Sequence, residues 1–137
     1  MENLRIPGPT SIPSEIAAVL SRPMINHRGP EFGEIVKRVT KNLQFFFQTS
    51  QPILGFPSAG SGAMEAAIVN CFSPGDEVLV VSIGVFGHRF AKISELFGLR
   101  VRHIEVPWGQ AAQPAEIARQ LEMHPDVRGV LVTHNET

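Results

Sequence analysis

The chain has 137 residues, 43% of them apolar, and its 12 Lys and Arg stand against 13 Asp and Glu for a net charge of −1. That length suits a single domain, or part of one, with a core of useful size. Charge so evenly balanced excludes the broad basic field on which nucleic-acid and anionic-membrane binding rely, which leaves small-molecule chemistry or a protein partner.

In chain order, "RIPGPTSIP" is Pro-rich and extended, and a short helix is expected from Ser14, with Ile16, Val19 and Leu20 at helical spacing. After the loop "SRPMINHRG", Pro30 is a favourable first helical residue. Phe32, Ile35, Val36, Val39, Leu43, Phe46 and Phe47 then mark a longer amphipathic helix, expected to lie against a sheet. From there strands and helices alternate: "PILGF" as strand, "SGAMEAAIVNCF" as helix, "EVLVVS" as strand, and a helix carrying Phe86, Phe90, Ile93 and Phe97 on one face. Next come "RVRHIEV" as strand, a helix from Pro114 with Ile117, Ala118 and Leu121, and "GVLVT" as strand. The alternation predicts an α/β fold with residues 1–50 as an N-terminal helical segment and 51–137 as strand-helix units. "EVLVVS" and "GVLVT" read as parallel strands buried on both faces, whereas "RVRHIEV" alternates and belongs nearer an edge. Cys71, the single cysteine, is expected as a small buried hydrophobe.

"PSAGSGAMEAA", residues 57–67, joins a strand to a helix through small residues, so the amides of Ala59, Gly60 and Ser61 can turn toward one point and cradle a phosphate. A tight connection that holds no ligand explains the same residues, and the neighbours narrow the choice. Ala63 and Met64 follow Gly62 where a P-loop needs Lys and Ser or Thr, which disfavours a nucleotide triphosphatase. Glu65 stands where a dinucleotide fingerprint needs a small residue, and the next strand ends in "VVSIGVFG" without an acid for the ribose. Phe86, just past that strand, either stacks on a planar cofactor or belongs to the apolar series of its helix. "HNET", with Thr137, follows the last strand, where open parallel sheets gather ligands. A phosphate loop, a ring and a hydroxyl-bearing cluster suit pyridoxal phosphate.

Taken together, "RIPGPTSIPSEI", "MINHRGPEF", "FQTSQ", "SAGSGAMEAAIVN", "FSPGDEVLVVSIGVFGHRF" and "VLVTHNET" resemble the class V aminotransferases, most closely the alanine- or serine-glyoxylate type, over essentially the whole chain. The resemblance implies part of the large domain of the fold-type-I pyridoxal 5'-phosphate enzymes, a mostly parallel sheet flanked by helices. Ala59, Gly60 and Ser61 match the loop that grips the cofactor phosphate, Phe86 the ring-stacking aromatic, and Thr137 the Ser or Thr beside the pyridine ring. The loop reads Ser-Ala-Gly-Ser where many relatives have Ser-Gly-Thr or Ser-Gly-His, so Ala59 contributes backbone alone. Gly8 matches a segment near the substrate, and His27 and Arg28 match a pair that in phosphoserine-type relatives reaches the neighbouring subunit's substrate. Arg28 could pair with an amino acid's carboxylate, or be a solvated loop residue beside a His27 that caps local backbone.

The activity so implied moves an amino group from alanine or serine to glyoxylate or another 2-oxo acid, in a homodimer. Phosphoserine- or aminophosphonate-type specificity and a non-catalytic phosphate-binding or dimerisation module are the alternatives. In the family the Schiff-base lysine, the acid at the pyridinium nitrogen and the substrate-carboxylate arginine come later than position 137. The three lysines here, Lys37, Lys41 and Lys92, fall on predicted helices, so no catalytic residue is expected in this chain. The 137 residues are thus expected to be an N-terminal portion, inactive by itself and not stably folded as a monomer. His88, His103, His124 and His134 form no close His-x-His or His-x-x-x-His pair, so no metal site is expected. With no basic, apolar leader and no bilayer-spanning run, the expected location is cytoplasmic, with no membrane partner.

Overall fold

The computed structural model describes residues 8–136. It divides into two compact units, one of residues 11–57 and the other of residues 8–10 and 58–136.

The unit at 11–57 holds two helices. Helix α1 (Ser14–Leu20) ends where the Ser21 hydroxyl donates back to the Ala18 carbonyl at 2.9 Å. Helix α2 (Pro30–Phe46) starts as expected on Pro30, whose fixed φ suits the first turn and whose missing N–H is no loss there. Glu31 adds a carboxylate to the positive end of that helix. The helix stops at Gln48, which takes a left-handed φ of 53°, while the Gln44 side chain donates to the Gln51 carbonyl at 3.0 Å. No residue of α2 is buried, so its apolar stripe is not covered as a core helix's would be. Residues 52–56, expected as a strand, are extended without a ladder partner among the described residues. β-propensity alone does not make a strand; pairing does.

The larger unit is a parallel α/β layer. Helix α3 (Gly60–Cys71) leads to β1 (Glu77–Ser82), α4 (Val85–Leu96), β2 (Arg100–Glu105), α5 (Pro114–Met123) and β3 (Val127–Val132). The strands lie in the order β2-β1-β3, all parallel. Only β1 is buried along its whole length, as a central parallel strand should be. Its residues Val78 and Val80 join Ile68, Ala91, Leu99 and Leu131 in the core, and Phe72, Phe90, Ile93 and Val101 pack around them. Burying each such aliphatic side chain stabilises the fold by about 1.5–3 kcal/mol.

Strand β2 lies at an edge, in line with its alternating sequence. β3 departs from expectation: Val130 and Val132 are 39% and 50% exposed, because this strand flanks β1 and only Leu131 and its neighbours on one face are covered. Cys71 is exposed rather than buried. It occupies the last turn of α3, beyond Ile68, the residue of that helix that enters the core.

Close packing adds to the apolar series foreseen for α4, of which Phe90 and Ile93 pack against the core. The buried residues of that helix are Gly87, Ala91 and Ser94, while Phe97 is 39% exposed. A Cβ on Gly87 would sit 2.6 Å from Ser82 Cα, so the absence of a side chain is what lets α4 rest on the end of β1. Gly98, at φ 80°, ends α4, its N–H reaching the Glu95 carbonyl at 3.0 Å and that of Leu99 the Ser94 carbonyl at 3.0 Å.

On the opposite face of β1, Glu77 is 8% exposed and hydrogen-bonded by Arg102 Nε, with Arg100 Nε at 3.6 Å. The Arg102 bond and the two guanidinium charges hold its carboxyl below the usual range against the opposing effect of burial.

Candidate functional site

The carboxyl end of β3 and the amino ends of α3 and α4 surround a cavity of about 370 Å³, lined by Gly60, Met64, Phe86, Phe90 and residues 132–135. This is where open parallel sheets hold ligands. The lining is mostly apolar, and Thr133 Oγ1 is buried there with no hydrogen-bond partner among the described residues. A hydroxyl so placed can bond to water or to a ligand in the cavity.

Two helix amino ends face this region, and they differ. At α4, the Glu136 carboxylate accepts from the N–H of Phe86 at 3.0 Å and of Gly87 at 2.6 Å. It fits because Gly84 leaves room, since a Cβ there would lie 2.7 Å from Glu136 Oε2. The α4 end is therefore neutralised by the protein's own anion and would repel a second. At α3, Ala59 caps the helix with extended backbone and no side-chain bond. The first N–H groups, of Gly60 and Ser61, cannot have intrahelical partners. A Cβ on Gly60 would meet nothing within 4 Å, so the fold of this chain does not require that glycine and its bareness keeps the cavity wall open.

A cation completes the α3 end. Arg89 Nη1 donates to Ser61 Oγ at 2.8 Å, and the guanidinium lies 5.1 Å from the centre of the Phe86 ring. One residue of α4 thus ties the loop serine to the aromatic side chain.

Of the residues singled out in the sequence, Gly60 and Phe86 line the cavity, and Ala59 and Ser61 flank Gly60. Thr137 lies outside the described residues. Gly8 is exposed and is not among the lining residues. His27 and Arg28 sit in the loop before α2, where Asn26, not His27, caps the turn by accepting the Arg28 N–H at 3.0 Å. No lysine lines the cavity, and Lys37 and Lys92 pair with Glu34 and Glu95 along their own helices. Sequence reasoning overlooked Thr133, Arg89 and the latch made by Glu136. Arg89 had a signal, lying one helical turn beyond Phe86, whereas contact between Glu136 and a helix fifty residues earlier left none.

No family model matches the chain. It is 39% identical over 136 residues to the soluble hydrogenase 42 kDa subunit of Anabaena cylindrica, a match covering 98% of this chain and 36% of that protein. It is likewise 39% identical over 136 residues to the L-aspartate–glyoxylate aminotransferase of Paracoccus denitrificans, covering 96% of this chain and 34% of the relative. Among solved structures, the alanine–glyoxylate aminotransferase of Nostoc sp. superposes with a TM-score of 0.85 at 30% identity, over 96% of this chain and 35% of that one. The chain is a class V aminotransferase homologue. Its α/β architecture is that of the aminotransferase large domain, and it spans about a third of the length of these relatives. Among the described residues of this class V homologue, no helix is long and apolar enough to cross a membrane.

Proposed function

We propose that this chain supplies the phosphate-holding and ring-holding part of a pyridoxal 5'-phosphate aminotransferase that moves an amino group between alanine or serine and glyoxylate or a similar 2-oxo acid. The observation that carries the proposal is the asymmetry of the two helix ends: α4 is closed by Glu136, while α3 has no side-chain cap among the described residues and presents its first amides beside Ser61 and Arg89. An anionic phosphate is favoured at the second and disfavoured at the first.

In this reading Gly60 and Ser61 give their N–H groups to the phosphate, Ala59 contributes backbone, and the Ser61 hydroxyl and Arg89 add a donor and a charge. Phe86 and Phe90 offer apolar surface to a planar ring, and Thr133 Oγ1 a hydroxyl to one of its polar atoms. Thr137 is assigned to the same ring from its place in the sequence. When bound, the cofactor acts as an electron sink for bonds at the amino acid's α-carbon. Gly8, His27 and Arg28 are assigned to the amino-acid side, where a guanidinium pairs with a carboxylate through two parallel hydrogen bonds.

The names borne by several relatives support the amino-transfer reading. We further propose a homodimer. Phe45, Phe46 and Phe47 at the end of α2 are 81%, 77% and 61% exposed, as expected of a face meant for a partner.

A chimaera tests this directly: residues 1–137 replace the matching third of the Nostoc alanine–glyoxylate aminotransferase. Glyoxylate-dependent amino transfer from alanine or serine is expected, falling at least about tenfold in Phe86→Ala and Ser61→Ala as stacking and phosphate contacts are lost. A folded, cofactor-loaded chimaera that transfers no amino group, or that is indifferent to both substitutions, would overturn the proposal.

A further inference from the structure

We propose that His88, His103 and Glu105 form a binding site for a divalent transition metal ion of the zinc type. The register of the sheet builds it. Val80 is opposite His103 and Ser82 opposite Glu105, so both β2 residues share the face of the sheet on which Val78 and Val80 meet the core. That is the α4 side, and α4 supplies His88. Fourteen residues separate the histidines, which is why no ligand spacing is visible in the sequence.

The ligand geometry is nearly formed. One nitrogen of each histidine and a Glu105 oxygen all lie within 4.8 Å of one another. Glu105 Oε1 is 3.3 Å from His103 Nδ1 and 3.9 Å from His88 Nδ1. Zinc bonds of about 2.0–2.2 Å in a tetrahedron place neighbouring ligand atoms roughly 3.4 Å apart. The first distance already meets this, and His88, 45% exposed at its side chain, is free to close the second. The imidazoles stand at 83° with centres 5.2 Å apart, an edge arrangement rather than a stack.

A second observation concerns His103 alone. Its Nε2 lies 2.5 Å from the Ser82 hydroxyl, which is 1% exposed. Ser82 Oγ can accept the Nε2–H, and this tautomer turns the Nδ1 lone pair toward Glu105. Metal-bound histidines are held in the same way, by a partner on the ring's other nitrogen. Two neutral imidazoles and one carboxylate make a net −1 ligand set for a divalent ion, with a fourth position left to water. None of the three ligands lines the cavity assigned to the cofactor, so the site stands or falls separately from the aminotransferase reading.

The test is a titration of the untagged chimaera described above with Co²⁺, read by visible d–d absorption against the unaltered Nostoc enzyme and reversed with Zn²⁺. One saturable equivalent is expected. His88→Ala and His103→Ala should each weaken it more than tenfold, Ser82→Ala about tenfold through loss of orientation, and His124→Ala not at all. Because nearly half of the His88 side chain is exposed, its removal costs little packing, and unchanged circular dichroism of that variant separates ligand loss from unfolding. Absence of saturable uptake, or uptake unaffected by His88→Ala and His103→Ala, would overturn the proposal and leave an ordinary surface ion pair.

Discussion

Gly87→Ala is the sharpest probe of how the site is positioned. The added Cβ would lie 2.6 Å from Ser82 Cα and 2.9 Å from its Cβ and Oγ. Carbon atoms in contact prefer about 3.5–4.0 Å, so α4 must retreat from β1 by roughly 1 Å. That lifts Ala91 and Ser94, buried on the same row, and moves Phe86 and His88 with the helix. Overpacking of this kind costs about 1–3 kcal/mol, offset by ~0.5–1 kcal/mol because Ala is the better helix former, for a net loss near ~1 kcal/mol. Gly60→Ala is the control. Its Cβ meets open space, so folding stability should hold or rise slightly, while the side chain intrudes where a phosphate would approach. Urea unfolding of the chimaera carrying each substitution, followed by circular dichroism, compares the two. Equal stability of wild type and Gly87→Ala, or a Gly60→Ala loss as large as that of Gly87→Ala, would refute the packing argument.

Replacing Glu136 by Gln removes a charge from the amino end of α4. Amide exchange at Phe86 and Gly87 should quicken by an order of magnitude or more, since hydrogen bonds to a charged acceptor contribute about 1.5–3 kcal/mol; unchanged protection would show that the latch is idle. Arg89→Ala frees Ser61 Oγ and should weaken phosphate-ester binding while leaving the melting temperature within about a degree, as measured by calorimetry with and without ligand. Acid titration of stability follows from two depressed carboxyls. Glu77 is held low by Arg102, and Glu116 is lowered to about 2 by hydrogen bonds from Arg119 and Gln120. Their contribution is present above the unfolded value of about 4.3 and disappears as pH falls through the folded values, so the melting temperature should drop below pH ~4. Glu77→Gln should flatten that limb, and an unchanged limb would count against the Arg102 pair.

Much of the layer could be read from sequence because local signals and tertiary context agree in it. Pro30 and Pro114 each open a helix, and "EVLVVS" is continuous in apolar character because both faces of β1 are covered. Where a feature depended on distant partners the reading failed. Residues 52–56 have strand propensity and no described neighbour to pair with, and β3 has the composition of a central strand in a flanking place. The periodicity of Phe86, Phe90, Ile93 and Phe97 hid the row Gly87, Ala91 and Ser94 that touches the sheet, since hydrophobicity patterns overlook glycine and serine. In the site, Gly60 and Phe86 were visible as a small-residue loop and an aromatic at strand ends. The Glu136 latch and the meeting of His88 with His103 arise from chain crossovers, which no short spacing records.

The central claim, that the amino end of α3 is a phosphate cradle, is tested most directly with pyridoxine 5'-phosphate, which lacks the aldehyde and so cannot label lysines. Calorimetric titration of the cofactor-free chimaera should give saturable binding of this ester and at least tenfold weaker binding of unphosphorylated pyridoxine, with the difference reduced, but not abolished, in Ser61→Ala combined with Arg89→Ala, because the backbone amides remain. Equal affinity for the two compounds, or a phosphate preference wholly unchanged by the double substitution, would contradict the account.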